Sequence, residues 1–544
     1  MRYPVADPVT IETTMRDGAR LVADVYRPVG AGACPVLLMR QPYGRRIAST
    51  VVLAHPAWYA SHGYVVMVQD VRGRGDSEGR FDILAGDVAD GAETLDAAAG
   101  LAGGDGRVAT YGFSYQGMTQ FMALAGALRS GGARPSAMAI AMAPWNVRDH
   151  WAFEGGAFRL EGNQYWAVQM AAEQARVAGD AAAYHAIRSA LGRLCSGPVP
   201  ARLDVLDTHR HLTHYHDWLA DDPGYWAARS PHAVLAGHAC DVPSLHLGGW
   251  LDIMIDGTFA AHEAFAAGGA RAELMVGPWP HIPWSRHVGA LDCGPEAATG
   301  GDAAILGFFD HVLKDAPPVA EAIRLFDLGR RTYVTPADLG PIRPQVLHLG
   351  STGRACPTVT DGVLAPEPQA PEVDRLVHDP WRPAPAHGLA LGSPGGYQDR
   401  SDVDGRGDVA VYTSAPLAEP LTLAGRVGAE VHIDCDRPSF DVAATLSIVS
   451  EDGRALAIAG GFRRVAQAAG GALVGVGMHR VVMTVPAGAR LRLSLQAAAW
   501  PAFMVNPGTG RRPEEASLAS CLVTTLAIRH GAGSPSRLIL EVAG

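Results

Sequence analysis

A chain of 544 residues exceeds what one hydrophobic core usually encloses, so two or three domains are expected. Hydrophobic residues at 48% and charged residues at 18% exclude a disordered scaffold. A formal charge of −10 with no Lys/Arg-rich run removes the electrostatic basis for binding nucleic acid or an anionic membrane, leaving small molecules as the expected partners.

The opening MRYPVADPVTIETTMRDG lacks the basic start and apolar run of a secretory signal, and no run of about 18 uncharged apolar residues occurs. The cysteines (Cys34, Cys195, Cys240, Cys293, Cys356, Cys435, Cys521) are scattered, odd in number and without CxxC spacing. That usage fits a reducing cytoplasm, not a zinc site or disulfide framework. The single lysine, Lys314, beside many arginines reads as a nucleotide-composition bias.

In chain order, TIETTMRDGARLVADVYRP predicts a hairpin turning at Asp17-Gly18. The apolar runs at 36–40, 64–71, 107–114 and 137–144 predict strands. Helical periodicity fills the gaps, in ADGAETLDAAAGLA before Ser114 and MTQFMALAGALRS after it. Strand and helix in alternation mean a parallel sheet covered on both faces, an α/β core over 1–144. Residues 145–243 turn to Trp, His and Ala with helical stretches such as QYWAVQMAAEQARVAG, which predicts an inserted helical cap. Strands resume at 244–252 and 273–279, so the core continues over 244–344. From 345 to 544 period-2 alternation dominates, most clearly in RLRLSLQ, and predicts a β-sandwich or jelly-roll joined by the Pro-rich stretch from Ala365 to Pro385.

Within YGFSYQGMTQ, Ser114 sits between Gly112 and Gly117 at a strand-to-helix junction. A nucleophile elbow needs that arrangement, because a sharp strained turn aims the hydroxyl above the sheet and small neighbours let the backbone come close. Serine then needs a histidine base oriented by a carboxylate. The resumed strands offer Asp252 in GGWLDIMIDG and His281 in GPWPHIPW at their carboxyl ends, where ligands bind in open α/β sheets. Asp256 and His287 are the rivals. The backbone N–H of Tyr115 would be one oxyanion donor. Tyr43, in MRQPYGRR, is either a second donor or a packed loop residue.

RQPYGRR, GYVVMVQDVRGRGDSEGRF, YGFSYQGMTQ, GGWLDIMIDGT and GPWPHIPW resemble, in order and spacing, the CocE/NonD-type α/β-hydrolases, grouped with cocaine esterase, α-amino acid ester hydrolases, glutaryl-type acylases and X-prolyl dipeptidyl peptidases. DVAVYTSAPLAEPLTLAGRV and FMVNPGTG are similar to that family's jelly-roll. The resemblance implies Ser114 as nucleophile, His281 as base and then acid, Asp252 as orienting carboxylate, and the Tyr43 hydroxyl with the Tyr115 N–H as oxyanion hole. It implies no cofactor. Tyr111 is expected only to pack in its strand. Two departures stand out: Leu251 replaces a frequent aromatic before the acid, and the loop SPGGYQDRSD has Gln398-Asp399 in inverted order.

RGRGDSEGR lacks the GK[ST] of a phosphate loop and is expected to be a structural turn with Arg72 and Asp76 paired. His209, His211, His214 and His216 crowd THRHLTHYHD without a carboxylate-rich partner motif and are expected to be polar cap residues, not metal ligands. Trp145, Trp151, Phe153 and Trp166 are the expected aromatic pocket lining. The chain is therefore expected to be a serine carboxylesterase cleaving small esters with an aromatic or apolar acyl group. An amidase, acylase, X-prolyl dipeptidyl peptidase or amino-ester hydrolase, for which Glu154 and Glu161 could hold a substrate ammonium, is the alternative. A ligand-binding protein on a hydrolase scaffold is the non-enzyme alternative, and a homodimer stays open beside a monomer.

Overall fold

In the computed structural model, residues 2–46, 51–194, 202–298, 300–318, 320–392, 394–467 and 471–544 are described; Cys195 lies outside them. The core sheet begins with the expected hairpin, β1 (Val9–Thr14) and β2 (Arg20–Tyr26). Then come β3 (Cys34–Gln41), β4 (Val65–Asp70), β5 (Gly104–Phe113) and β6 (Ala137–Ala141). After the cap follow β7 (Ser244–Leu251), β8 (Ala272–Pro280), β9 (Ile323–Asp327) and β10 (Thr332–Val334). The spatial order is β1-β2-β4-β3-β5-β6-β7-β8-β9-β10, parallel from β4 through β9. β3, β4, β6 and β7 are buried along their whole length, which is why their sequences are continuous apolar runs with no alternation.

The chain leaves β3 toward β4 on one side and returns to β5 on the other, so the order reverses at β3. Such a reversal opens a crevice at the strands' carboxyl ends, and Ser114 follows the end of β5 there. Helix α1 (Asp87–Ala99) packs on α2 (Tyr115–Ser130), which carries buried residues on all sides through Ala127. The cap is helical, led by α3 (Leu160–Val177), with one two-residue hairpin at Phe153–Glu154 and Ala157–Phe158. Helices α4 (Ile255–Ala267) and α5 (Gly301–Lys314) complete the core.

The carboxyl-terminal unit is an eleven-stranded β-domain, counted among the described residues, running from Ile342–Gly350 to Arg537–Ala543, two strands that pair antiparallel. The stretch Ala365–Pro385 is no linker: it contains a strand, Glu372–His378, paired with Thr524–His530. Its prolines lie outside that strand, where no ladder N–H is needed, so proline density marked strand ends and not a domain junction.

The two units share one core. Trp250, Leu251 and Ile255 lie in the same apolar cluster as Leu423, Val481 and Met483 of the β-domain. Buried Asp327, at the end of β9, accepts the Thr484 N–H at 2.9 Å and its hydroxyl at 2.5 Å across the junction.

Candidate active site

Ser114 has φ 61° and ψ −121°, a left-handed conformation costly for a residue with a Cβ. Local bonds hold it there: Ser114 N–H donates to the Ala141 carbonyl at 2.9 Å, and Phe113 N–H donates to Gln116 Oε1 at 3.1 Å. The glycines follow from the same geometry. A Cβ on Gly112 would run into Gln116, and one on Gly117 would stand 2.9 Å from Ala143 Cβ.

His281 Nδ1 lies 2.8 Å from Asp252 Oδ1, and Nε2 lies 3.0 Å from Ser114 Oγ. A carboxylate only accepts, so Nδ1 carries the proton, and Nε2 faces the serine hydroxyl with a free lone pair. Asp252 is fully buried, while Ser114 and His281 are partly open to solvent. The imidazole rests on Phe113, ring centroids 4.5 Å apart, and Trp284 donates to the His281 carbonyl at 3.2 Å while stacking on Trp279. The rivals are elsewhere engaged: Asp256 faces Arg480 at 3.8 Å from its place on α4, and exposed His287 lies 3.9 Å from Asp292.

Tyr115 begins α2, so its N–H has no carbonyl within the helix to bond. Its side chain turns the other way, its hydroxyl donating to Asp87 at 2.8 Å and accepting the Leu84 N–H at 2.9 Å. Tyr43 stands edge-on to Tyr115, centroids 6.5 Å apart. Trp166 Nε1 donates to the Tyr43 oxygen at 3.3 Å, which leaves the Tyr43 proton free to be given away. Burial pushes that hydroxyl up to about 12, so it stays protonated. The Tyr43 loop is pinned by buried Arg45, which donates to Asp70 and Asp76 at 2.7 Å each. Tyr111 is buried in β5 against Tyr59, as expected.

The aromatic residues divide. Trp166 stacks on Trp218 at 5.3 Å, and Trp151 stands edge-on to both, so these three form a wall ending at Tyr43. Trp145 does not join it: the ring packs between Phe121 of α2 and Phe265 of α4. Phe153 packs on Phe158 beneath the Arg148 guanidinium, with Trp226 between it and Trp151. Glu154 is bound by Arg159 at 2.9 Å, whereas Glu161 is half-buried and burial raises its carboxyl.

One expected pairing is corrected. Arg72 bonds Asp90 and Asp17, at 2.6 and 2.8 Å, and Asp76 pairs with Arg45 instead, because the turn folds back on the Tyr43 loop and not on itself. Among the described residues no group of His, Cys, Asp or Glu is arranged to hold a metal; His216 bonds Asp207 at 2.8 Å. No helix among them is long and apolar enough to cross a bilayer.

Sequence reasoning passed over Phe113, Gln116, Trp218 and Tyr397. Gln116 lies inside the serine motif itself, and Trp218 closes the histidine run, so position alone could have flagged both. Tyr397 gives no local signal. It comes from the β-domain, is fully buried, and donates to the Pro278 carbonyl at 3.2 Å, while its own carbonyl accepts the Ala290 N–H at 2.7 Å, bracketing the loop that carries His281.

The family model described as X-Pro dipeptidyl-peptidase (S15 family) matches residues 17–283, and the model of the X-Pro dipeptidyl-peptidase C-terminal non-catalytic domain matches 320–539. Cocaine esterase of Rhodococcus sp. (strain MB1 Bresler) is 28% identical over 592 aligned residues, covering 99% of each chain. Among solved structures, an aminopeptidase from a marine sediment archaeon, Thaumarchaeota archaeon, superposes with TM-score 0.81 at 21% identity over 99% of this chain and 97% of that one. An α-amino acid ester hydrolase gives 0.76 at 21% identity over 98% and 97%. A CocE/NonD family hydrolase from Staphylococcus aureus gives 0.68 at 16% identity over 99% and 93%. At these identities the solved structures speak for the fold, an α/β-hydrolase core with a carboxyl-terminal β-domain. With both models matched in order and the cocaine esterase aligned end to end, the chain belongs to the CocE/NonD-type α/β-hydrolase family, as a serine hydrolase of esters or peptides.

Proposed function

We propose that the chain is a carboxylesterase that cleaves small esters with an aromatic or apolar acyl group through an acyl-enzyme on Ser114. The observation that carries this reading is the relay from Asp252 through His281 to Ser114, at 2.8 and 3.0 Å. His281 Nε2 takes the Ser114 proton as Oγ attacks the ester carbonyl carbon. The oxyanion receives hydrogen bonds from the Tyr43 hydroxyl and the Tyr115 N–H, and His281 then passes its proton to the departing alcohol. Water, giving a proton to His281, attacks the acyl carbon in turn. The acid leaves and Ser114 regains its proton.

The wall of Trp151, Trp166 and Trp218 beside Tyr43 supports an apolar or aromatic acyl group. Matched p-nitrophenyl esters and p-nitroanilides of the same acids test the reading: benzoyl and short acyl esters should turn over, with the anilides at least about 10²-fold slower. Faster anilide turnover would overturn it.

A peptidase reading has one observation in its favour. Glu161 is a half-buried carboxyl with no bonded partner among the described residues, a group able to receive a substrate ammonium. On that reading Glu161→Gln would raise KM for amino-acyl anilides and leave acyl esters unaffected.

A further inference from the structure

Arg74 and Arg80 of RGRGDSEGR and His211, His214 and His216 of the histidine run, which the hydrolytic site leaves unused, meet on one cavity of about 370 Å³ beside α3. Its deepest cation is Arg74, only 1% exposed. The guanidinium lies 3.9 Å over the Phe81 ring, and among the described residues its only hydrogen bonds reach the Met170 carbonyl, at 3.3 and 3.4 Å. Nε has no partner, and no carboxylate among the described residues makes an ion pair with it. A buried guanidinium without a counter-ion is costly, and burial pulls this one down to about 10.

Arg74 is not alone. Among the described residues Gln174 Oε1 and His216 Nδ1 are also buried without hydrogen bonds, and His214, whose Nδ1 stands 3.4 Å from Asp217 Oδ2, lines the same cavity with them. Arg80 and Arg210 stand at its exposed rim, against one carboxylate, Asp217.

We infer that this cavity is a binding site for a small carboxylate with an apolar body. The planar carboxylate matches the guanidinium fork. Phe81, Ile83, Met170 and Leu212, interleaved with the cations, suit an aryl or short alkyl body and disfavour a compact, strongly hydrated dianion. The cavity lies behind the oxyanion wall: Phe81 packs 6.2 Å from Tyr115, and Trp218 stacks on Trp166. The acid released by ester cleavage is of the same chemical class, so the cavity could hold product next to the site that makes it. That link rests on the proposed esterase activity; the binding does not.

Titration calorimetry with benzoate and its neutral isostere benzamide tests the site without turnover. Benzoate should bind, with benzamide weaker by about tenfold or more. Arg80→Ala/Arg210→Ala should weaken benzoate by about tenfold, Arg74→Met more, and Ser114→Ala not at all. Should Arg74→Met fail to fold, the rim pair, both exposed, still decides. Absence of benzoate binding, equal binding of benzamide, insensitivity to the rim pair, or dependence on Ser114 would each overturn the assignment. Inorganic phosphate binding as tightly as benzoate would overturn the carboxylate class. Because benzoate binding needs no catalysis, an inactive esterase and an empty cavity are distinguishable results.

Discussion

Ser114 sits in a strained backbone conformation, which its own N–H bond to Ala141 and the neighbouring Phe113–Gln116 bond hold in place. Replacing it by alanine leaves the elbow intact but removes the attacking oxygen, so Ser114→Ala should lower ester turnover by roughly 10⁴-fold or more with an unchanged circular dichroism spectrum. Residual activity within tenfold of the parent would return the serine to a structural role. Tyr43 offers a sharper test, since its oxygen accepts from Trp166 and its proton stays free. Tyr43→Phe should cost roughly 10² to 10³ in kcat with little change in KM. With the hydroxyl raised to about 12, an ordinary tyrosine being near about 10, no loss of rate from Tyr43 ionisation is expected up to pH ~10 in a stopped-rate profile.

At the scale of elements, the site depends on three strand ends and one loop held from outside. Strands β5, β7 and β8 bring Ser114, Asp252 and His281 to one rim, and all three were legible in the sequence because the buried stretches of parallel strands read as apolar runs that lead up to these residues. The loop after β8 was not legible in this way, since its anchor, Tyr397, arrives from more than a hundred residues downstream. Tyr397→Phe removes one buried bond to Pro278; it should cost about 1 to 2 kcal/mol of stability and lower kcat several-fold by loosening His281. An unchanged kcat beside a lowered melting temperature would make the loop's support structural alone. The same lesson holds for Arg72 and Asp76. Adjacent opposite charges suggested a local pair, but each found a buried partner brought near only by the fold. Trp145 and Phe153 show the limit of reading aromatics by proximity in sequence: Trp145 packs between two helices and Phe153 across its hairpin on Phe158, while Trp218, just after the histidine run, completes the wall.

At the scale of the molecule, core and β-domain form one folding unit in physical terms, joined by a continuous apolar cluster and by Asp327. A chain ending at Leu339 would expose Trp250, Leu251 and Ile255 and lose the Tyr397 anchor. It should aggregate on size-exclusion chromatography, and a monodisperse, active fragment would contradict the shared core. Asp327→Ala should lower the melting temperature of the full chain, at a cost of about 2 to 4 kcal/mol, by leaving the Thr484 donors unpaired.

The central claim is that Ser114 is the nucleophile of this hydrolase. The most direct measurement is mass-spectrometric mapping of the adduct formed with a fluorophosphonate. A single modification on the peptide containing Ser114, absent from the Ser114→Ala chain and matched by loss of ester turnover, is the predicted result. Modification of another residue, or ester turnover that persists with Ser114 fully labelled, would contradict it.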